Sequence, residues 1–168
     1  MNCCGDDGLD PGPYCLDWVA RRGGLRTLAE YPYTAGDGGI TCTGGHQVCN
    51  ANAGIPVGSI SGAYCVENDP SGANEGMVNL FMQMSGPMIT SIASSGLSGY
   101  TGGIITDMCS ARHLDHTVMI VGYGEENGLS YYIVKNSWGE GFGEGGYFRM
   151  QANVCCLGFC GGGNCKPN

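Results

Sequence analysis

Two apolar runs joined by a short glycine-bounded turn constrain this fold more than any other feature of the sequence. The runs "HTVMIVGYG" and "LSYYIVK" are rich in Val, Ile and Tyr, and the second leads directly into "NSWG". Runs of this kind, bounded by Gly and Asn, are typical of β-strands. We predict strands over residues 117–123 and 130–135, joined as an antiparallel hairpin in which Gly124 pairs with Gly128 across "EEN".

This predicted register brings two polar side chains together. It places His116 directly opposite Asn136, and opposed residues have Cβ atoms about 4.5–5.5 Å apart. An asparagine carbonyl at that distance can accept a hydrogen bond from one imidazole nitrogen, which leaves the other nitrogen available for a substrate or nucleophile. Trp138, on the same side of the strand, would shield the pair from water. For either residue alone an ordinary surface histidine or turn asparagine is the commoner explanation, but the three together favour chemistry.

Composition excludes some classes of partner. The chain has 32 glycines and only 13% charged residues, which indicates a loop-rich protein with few exposed amphipathic helices. Its net charge of −8 leaves no basic patch for nucleic acid. The apolar runs are too short to cross a bilayer, so we expect no membrane partner either.

The cysteines indicate the compartment. Eleven of them in 168 residues are typical of an oxidising environment, so we expect a lysosomal, endosomal or secreted protein. Because eleven is odd, one thiol is free or pairs outside the chain. The first residues, "MNCCGDDG", have neither the basic nor the apolar region of a signal peptide, so we expect the natural N-terminus to lie further upstream.

Elsewhere the sequence predicts two helices, two more strands and long loops. One helix is predicted over residues 14–22 and another over 74–84, the second ending at Gly86 before a proline. In this second helix four apolar residues recur at helical spacing: Met77, Leu80, Phe81 and Met84. The remaining predictions are strands over residues 88–93 and 146–150, and loops held by disulfides over residues 34–71.

These segments resemble the papain family of cysteine peptidases. "LDHTVMIVGYG" is similar to the family's histidine strand, and "YYIVKNSWGEGFGEGGYFRM" to its Asn-Ser-Trp-Gly motif and following strand, with Phe142 where an aromatic residue, usually tryptophan, is expected. Upstream, "EYPYTAGDGGITC", "NEGMVNLFMQMSGPM" and "YTGGI" resemble further family segments in the same order. "CCG" and "CTGG" are similar to the cathepsin B branch, although the paired histidines of its blocking loop are absent.

The resemblance implies an α+β fold of two lobes. Residues 1–72 would be an incomplete, disulfide-rich helical lobe, residues 73–154 a nearly complete antiparallel β lobe carrying the histidine and asparagine, and residues 155–168 a Cys- and Gly-rich tail. It also implies structural disulfides, with Cys3 or Cys4 joined to Cys42 and Cys109 joined to Cys155 or Cys156.

The resemblance further implies a division of labour in peptide hydrolysis. His116 would be the base and acid, Asn136 its orienting partner and Trp138 their shield, with a cysteine thiolate as the nucleophile. The family's Cys-Gly-Ser/Ala-Cys-Trp/Tyr setting does not occur in the chain. The family places that cysteine about 130–150 residues earlier, and counting back about 130 residues from His116 passes Met1.

Part of the substrate cleft is also carried over from the resemblance. Its candidate lining residues are Gly12, Ser91, Leu114, Asp115 and Thr117. Gly12 ends "LDPG", where the family has Cys-Asn-Gly-Gly, so only one glycine of the pair remains. Ordinary strand packing explains the others equally well.

Three functions remain open from the sequence. The chain could be part of a cysteine endopeptidase, inactive alone, whose nucleophile comes from an upstream segment or a separate chain. It could be a pseudopeptidase that binds peptides without cleaving them, or a disulfide-stapled extracellular structural protein. A polypeptide substrate is the expected partner, and we expect neither cofactor nor metal.

Overall fold

The computed structural model describes residues 20–21, 24–30, 75–107 and 114–152. The chain divides into two compact units, Met1–Tyr64 and Cys65–Asn168. The predicted domain boundaries after residues 72 and 154 lie outside the described residues. So do all eleven cysteines, Gly12 and the predicted loops over residues 34–71, and these predictions stay predictions.

Little of the first unit is described. Ala20 and Arg21 are helical. The other residues of the helix predicted over 14–22 lie outside the described residues. The segment "TLAE" closes a capping box, in which the Glu30 carboxylate accepts from the Thr27 backbone N–H at 3.2 Å and from its hydroxyl at 2.9 Å. In return the Glu30 N–H donates to the Thr27 hydroxyl oxygen at 3.2 Å. The two residues thus satisfy each other's backbone donors.

Helix α1 (Glu75–Ser85) confirms the predicted element within one residue at each end. It ends because Gly86 adopts a positive φ of 89° and donates its N–H to the Met82 carbonyl at 3.0 Å, and Pro87 follows. The apolar residues read from the sequence do not mark its buried face. Val78 is fully buried and Met82 packs on the core, whereas three residues of the predicted set are exposed: Met77, Leu80 and Met84.

The spacing of apolar residues does not by itself identify the buried side of α1. Residues four apart, such as Val78 and Met82, share one side of a helix, and one residue of rotation turns that side by about 100°. Methionine occurs on both sides of α1, so spacing alone does not choose between them. No helix in the described ranges is both long and apolar enough to cross a membrane.

In the described ranges five strands form one sheet, in the order β1-β3-β4-β5-β2. They are β1 (Met88–Ile92), β2 (Ile104–Ile105), β3 (His116–Glu126), β4 (Leu129–Lys135) and β5 (Tyr147–Gln151). The four strands predicted from apolar runs are confirmed, with small shifts of their ends. Neighbouring strands are antiparallel except β2 and β5, which run parallel, so the sheet is mixed rather than wholly antiparallel.

One face of the sheet carries the core. Alternate residues of four strands turn inward and meet Val78 of α1 and Leu97 of the 3-10 turn Ser94–Leu97. The buried apolar strand residues are Ile92, Val118, Ile120, Tyr132, Val134, Phe148 and Met150. Burial of side chains of this size contributes about 1.5–3 kcal/mol each, so this face holds the strands in register.

The hairpin differs from its predicted register. Glu126 pairs with Leu129 across a two-residue turn, Asn127 and Gly128, whose φ angles are 54° and 78°. Both residues lie in the left-handed region that such tight turns require. The predicted three-residue loop and the pairing of Gly124 with Gly128 are therefore wrong, because the Asn-Gly pair itself makes the turn.

Candidate active site

A β-bulge brings His116 and Asn136 to the same face of the sheet. Ile120 pairs with Val134 but Gly122 pairs with Ile133, so Val121 is an extra residue in β3. Because side chains alternate between faces, one extra residue reverses the facing of every residue before it. His116, Val118 and Ile120 thereby share the face of Val134, and a continuation of the register places Asn136 beside Val118.

The predicted direct pairing of His116 with Asn136 is therefore wrong, since the pairing of Met119 with Lys135 continues to Val118, not His116, opposite Asn136. The two side chains nevertheless meet on a diagonal. His116 Nε2 lies 2.8 Å from Asn136 Oδ1. The predicted contact is present, and the residue that produces it is the bulged Val121.

Hydrogen bonding assigns the imidazole proton. Asn136 Oδ1 also accepts from the Ser137 backbone N–H at 2.8 Å, and a backbone N–H can only donate. The atom between them is therefore the amide oxygen, so His116 Nε2 must carry a proton. In the neutral ring this leaves a lone pair on Nδ1. Asn136 itself is only 7% exposed, and its Nδ2 has no hydrogen-bond partner in the described part of the chain.

Trp138 covers the imidazole. Its ring centroid lies 5.0 Å from that of His116, at an interplanar angle of 32°, and 48% of the residue is exposed. One side of the indole thus lies against the histidine and the other faces solvent. A hydrogen bond beside such a ring lies in a less polar medium than water, which strengthens it.

A chain of aromatic contacts continues from Trp138 into the core. Trp138 meets Phe142 edge to face at 5.1 Å, and Phe142 contacts Tyr100 at 5.9 Å and Phe148 at 6.3 Å. Phe142 belongs to a glycine-rich loop, residues 139–146, that joins β4 to β5. The two ends of the connection between β4 and β5 lie close together, because the Asn136 N–H donates to the Gly146 carbonyl at 2.9 Å.

Asp115, a predicted substrate contact, is engaged within the protein. Its carboxylate accepts from the Ser94 backbone N–H at 2.7 Å and the Ser94 hydroxyl at 3.1 Å, and its own N–H donates to the Ile92 carbonyl at 3.0 Å. These bonds tie the start of β3 to the turn after β1. They fix the backbone of the residue next to His116, a role that the sequence did not suggest.

The other predicted cleft residues lie near the pair without joining it. Ser91 and Thr117 are strand partners on β1 and β3, and alternation places them on the opposite face from His116. Leu114 is half-buried just before β3. Contact of Ser91, Leu114, Asp115 and Thr117 with a substrate stays a prediction.

An ion-pair network around Arg149 lies on the face of β5 opposite the core. Arg149 donates to Glu144 from Nε at 3.0 Å and from Nη2 at 2.8 Å, and to Glu126 from Nη1 at 2.7 Å. Glu144 also accepts from the Gly103 backbone N–H at 3.0 Å. Chiefly because of the Arg149 hydrogen bonds, the pKa of Glu144 is lowered from its ordinary value. No group of three or more His, Cys, Asp or Glu side chains with metal-binding geometry occurs among the described residues.

Comparison with known proteins identifies the class. The family model described as "Papain family cysteine protease" matches residues 1–165. The chain therefore belongs to the papain family of cysteine proteases and is a cysteine-type peptidase by family, as the sequence motifs predicted.

Individual relatives agree with this assignment. Vignain of Ricinus communis is 37% identical over 150 residues, covering 88% of this chain and 38% of its own length. The probable cysteine protease RD21C of Arabidopsis thaliana is 34% identical over 155 residues, covering 90% of this chain and 30% of its own. The solved structure of digestive procathepsin L 3 from the Tenebrio molitor larval midgut is 31% identical with a TM-score of 0.68, covering 84% of this chain and 42% of that one. The chain thus spans less than half the length of these relatives, and it shares their α+β fold.

Proposed function

We propose that His116 and Asn136 form the base and its orienting group in a papain-type peptidase that hydrolyses peptide bonds. The observation that carries this proposal is the 2.8 Å contact between His116 Nε2 and Asn136 Oδ1. It fixes the ring through one nitrogen and leaves the lone pair of Nδ1 for chemistry. A general base oriented by a third group is what nucleophilic catalysis by a thiol needs.

The chemistry follows from this proton arrangement. A thiol beside Nδ1 transfers its proton to the ring, and the resulting thiolate attacks the peptide carbonyl carbon. The imidazolium then returns that proton from Nδ1 to the leaving amine, and water completes hydrolysis of the thioester with the ring again acting as base. Throughout the cycle Nε2–H stays bonded to Asn136, and Trp138 keeps this bond from water.

The sulfur is proposed to come from outside these residues. The sequence contains no Cys-Gly-Ser/Ala-Cys-Trp/Tyr segment. We therefore assign the nucleophile to an upstream segment or a separate chain, and the 168 residues alone would be inactive. A polypeptide is the proposed substrate. The eleven cysteines support a lysosomal, endosomal or secreted location with structural disulfides.

A second function is favoured by the same missing motif. A pseudopeptidase would retain the cleft and bind peptides without cleaving them. The structural alternative has the cysteine-rich residues 155–168 as its only specific support, and these lie outside the described residues.

The deciding experiment compares two forms of the protein with a fluorogenic peptide substrate. One form is residues 1–168, and the other includes the polypeptide encoded directly upstream of Met1. We expect cleavage by the longer form only. His116→Ala should lower kcat/KM by at least about 100-fold, because general acid–base groups contribute about 10²–10⁴-fold. Asn136→Ala should lower it less, because the ring remains.

His113→Ala is the matched control, since it removes an imidazole three positions earlier in the sequence and should leave cleavage unchanged. Peptide binding without cleavage by the longer form would favour the pseudopeptidase. Labelling of residues 1–168 by a thiol-directed epoxide, dependent on His116, would show that the chain carries its own nucleophile and would overturn the proposed inactivity.

A further inference from the structure

We infer that Tyr100 is a positioning residue for His116, acting through the rings of Phe142 and Trp138. This inference rests on the proposed function, because a histidine that does no chemistry needs no such support. Tyr100 does not touch His116. Its effect travels along a row of packed rings, each of which limits the movement of the next.

The Tyr100 hydroxyl makes two hydrogen bonds. The O–H donates to the Gly103 carbonyl at 2.8 Å, and the oxygen accepts from the Arg149 backbone N–H at 3.1 Å. The first bond ties the ring to the turn before β2 and the second ties it to β5. Its ring also meets that of Phe148, which is fully buried, edge to face at 6.2 Å. Tyr100 is therefore a fixed point at the junction of two strands.

The glycine-rich loop, residues 139–146, is packed against this fixed ring. A Cβ added at Gly143 would lie 2.7 Å from Tyr100 Cδ1 and Cε1, so the loop backbone itself contacts the ring. The next residue back, Phe142, lies 5.9 Å from Tyr100 between ring centroids. The position of the Phe142 ring is thus set by Tyr100 on one side and by Phe148 on another.

Trp138 depends on Phe142 for its place. Nearly half of Trp138 faces solvent, so the rings beside it restrain its movement: Phe142 at 5.1 Å and His116 at 5.0 Å. If Phe142 moves into space left by Tyr100, Trp138 loses its support and can swing away from the imidazole. Water would then reach the hydrogen bond between His116 Nε2 and Asn136 Oδ1.

The test measures that hydrogen bond without relying on catalysis. The chain contains three histidines, so ¹⁵N-labelled histidine gives a simple NMR spectrum in which the His116 Nε2–H exchange rate with water can be followed. Tyr100→Leu removes the ring, and we expect exchange to accelerate at least about tenfold as the bond opens more often. Tyr100→Phe keeps the ring and its packing on Phe148 and Gly143 but loses both hydroxyl hydrogen bonds, so exchange should accelerate less than in Tyr100→Leu, by no more than about threefold.

Tyr131→Leu is the matched control, because Tyr131 is a half-buried tyrosine of the same sheet that lies outside the row of rings. Native exchange in a folded Tyr100→Leu protein would overturn the inference, as would equal acceleration in Tyr131→Leu or in Tyr100→Phe. If Tyr100→Leu does not fold, Phe142→Leu breaks the same row at the next contact and is judged by the same criteria. Because no activity is measured, failure of the proposed peptidase function would show separately, in the cleavage assay.

Discussion

The two halves of the β3–β4 hairpin obey different constraints. In the turn half, residues 122–133, the register follows from the Asn127–Gly128 turn, and many side chains near the turn are exposed. In the site half, residues 116–120 and 134–136, the register follows from the bulge, and most inward residues are buried. A turn can set strand pairing, but here one extra residue decides which face carries the histidine.

Removal of the bulge should have the largest effect. Deletion of Val121 would turn Val118 and Ile120, both buried, toward the other face of the sheet. Loss of two such side chains from the core, together with misplacement of His116, costs at least about 5 kcal/mol, which is comparable to the whole stability of many domains. We expect loss of cooperative thermal unfolding by circular dichroism and of amide dispersion by NMR.

An insertion in the turn half provides the control. One glycine added between Asn127 and Gly128 should cost less than about 1 kcal/mol, because surface turns tolerate added length. A folded protein lacking Val121 that keeps the His116–Asn136 contact would show that the bulge does not control the facing of the histidine.

Substitution in the glycine-rich loop tests how tightly the site half is packed. Gly143 has a φ of 48°, and an added Cβ would lie 2.7 Å from both the Tyr100 ring and the Tyr147 carbonyl. Gly143→Ala should therefore lower the free energy of unfolding by about 3 kcal/mol, from overpacking and a left-handed backbone together. Gly145 has a φ of 68° but open space around it, so Gly145→Ala should cost only about 1 kcal/mol. Equal losses in urea denaturation would refute the packing argument.

The Arg149 network gives a smaller, pH-dependent effect. Glu144 belongs to the glycine-rich loop and its side chain is 32% exposed, so Glu144→Gln should cost about 1 kcal/mol at pH 7. Arg149 lowers the carboxyl pKa in the folded state, so this stabilisation is present above the ordinary value of 4.5 and is lost as pH falls through the folded-state pKa.

The difference in unfolding free energy between native protein and Glu144→Gln should thus shrink as acid is added. Glu140→Gln, at an exposed residue of the same loop, serves as control and should change stability by less than about 0.5 kcal/mol. A difference that grew on acidification would mean that the sign assigned to the Glu144 interaction is wrong.

The smallest effect is expected on the solvent side of α1. This side contacts the turn half of the hairpin through the 2.7 Å hydrogen bond from Gln83 Nε2 to the Tyr123 hydroxyl. Met84 is 74% exposed, so Met84→Gln should alter the unfolding free energy by no more than about 0.5 kcal/mol. Val78→Ala, on the buried side of the same helix, should cost about 2 kcal/mol. A larger loss of unfolding free energy in Met84→Gln than in Val78→Ala would show that Met84 lies on the buried side of α1.

The elements of the second unit were predictable because their signals are local. Runs of Val, Ile and Tyr specify strands wherever they pack, and Gly86-Pro87 stops a helix by its own backbone geometry. The register of the β3–β4 hairpin was harder to predict. The Asn-Gly pair at 127–128 is a strong signal for a two-residue turn, but the bulge at Val121 depends on how β3 fits its neighbours, which periodicity does not express.

The candidate site was partly predictable for the same reason. His116, Asn136 and Trp138 stand out as polar and aromatic residues flanking strands, and their mutual contacts follow the motif. The hydrogen bonds of Asp115 to Ser94 and the support from Tyr100 join residues 21 or more positions apart, and no spacing rule reveals them.

The short length of β2 limits how the sheet can grow by self-association. Within the sheet that the described residues form, β1 and β2 are the outermost strands, and β2 contributes only two residues. Addition of a strand from another molecule requires a long row of free backbone donors and acceptors. With only two residues, β2 offers too short a row to template such an addition.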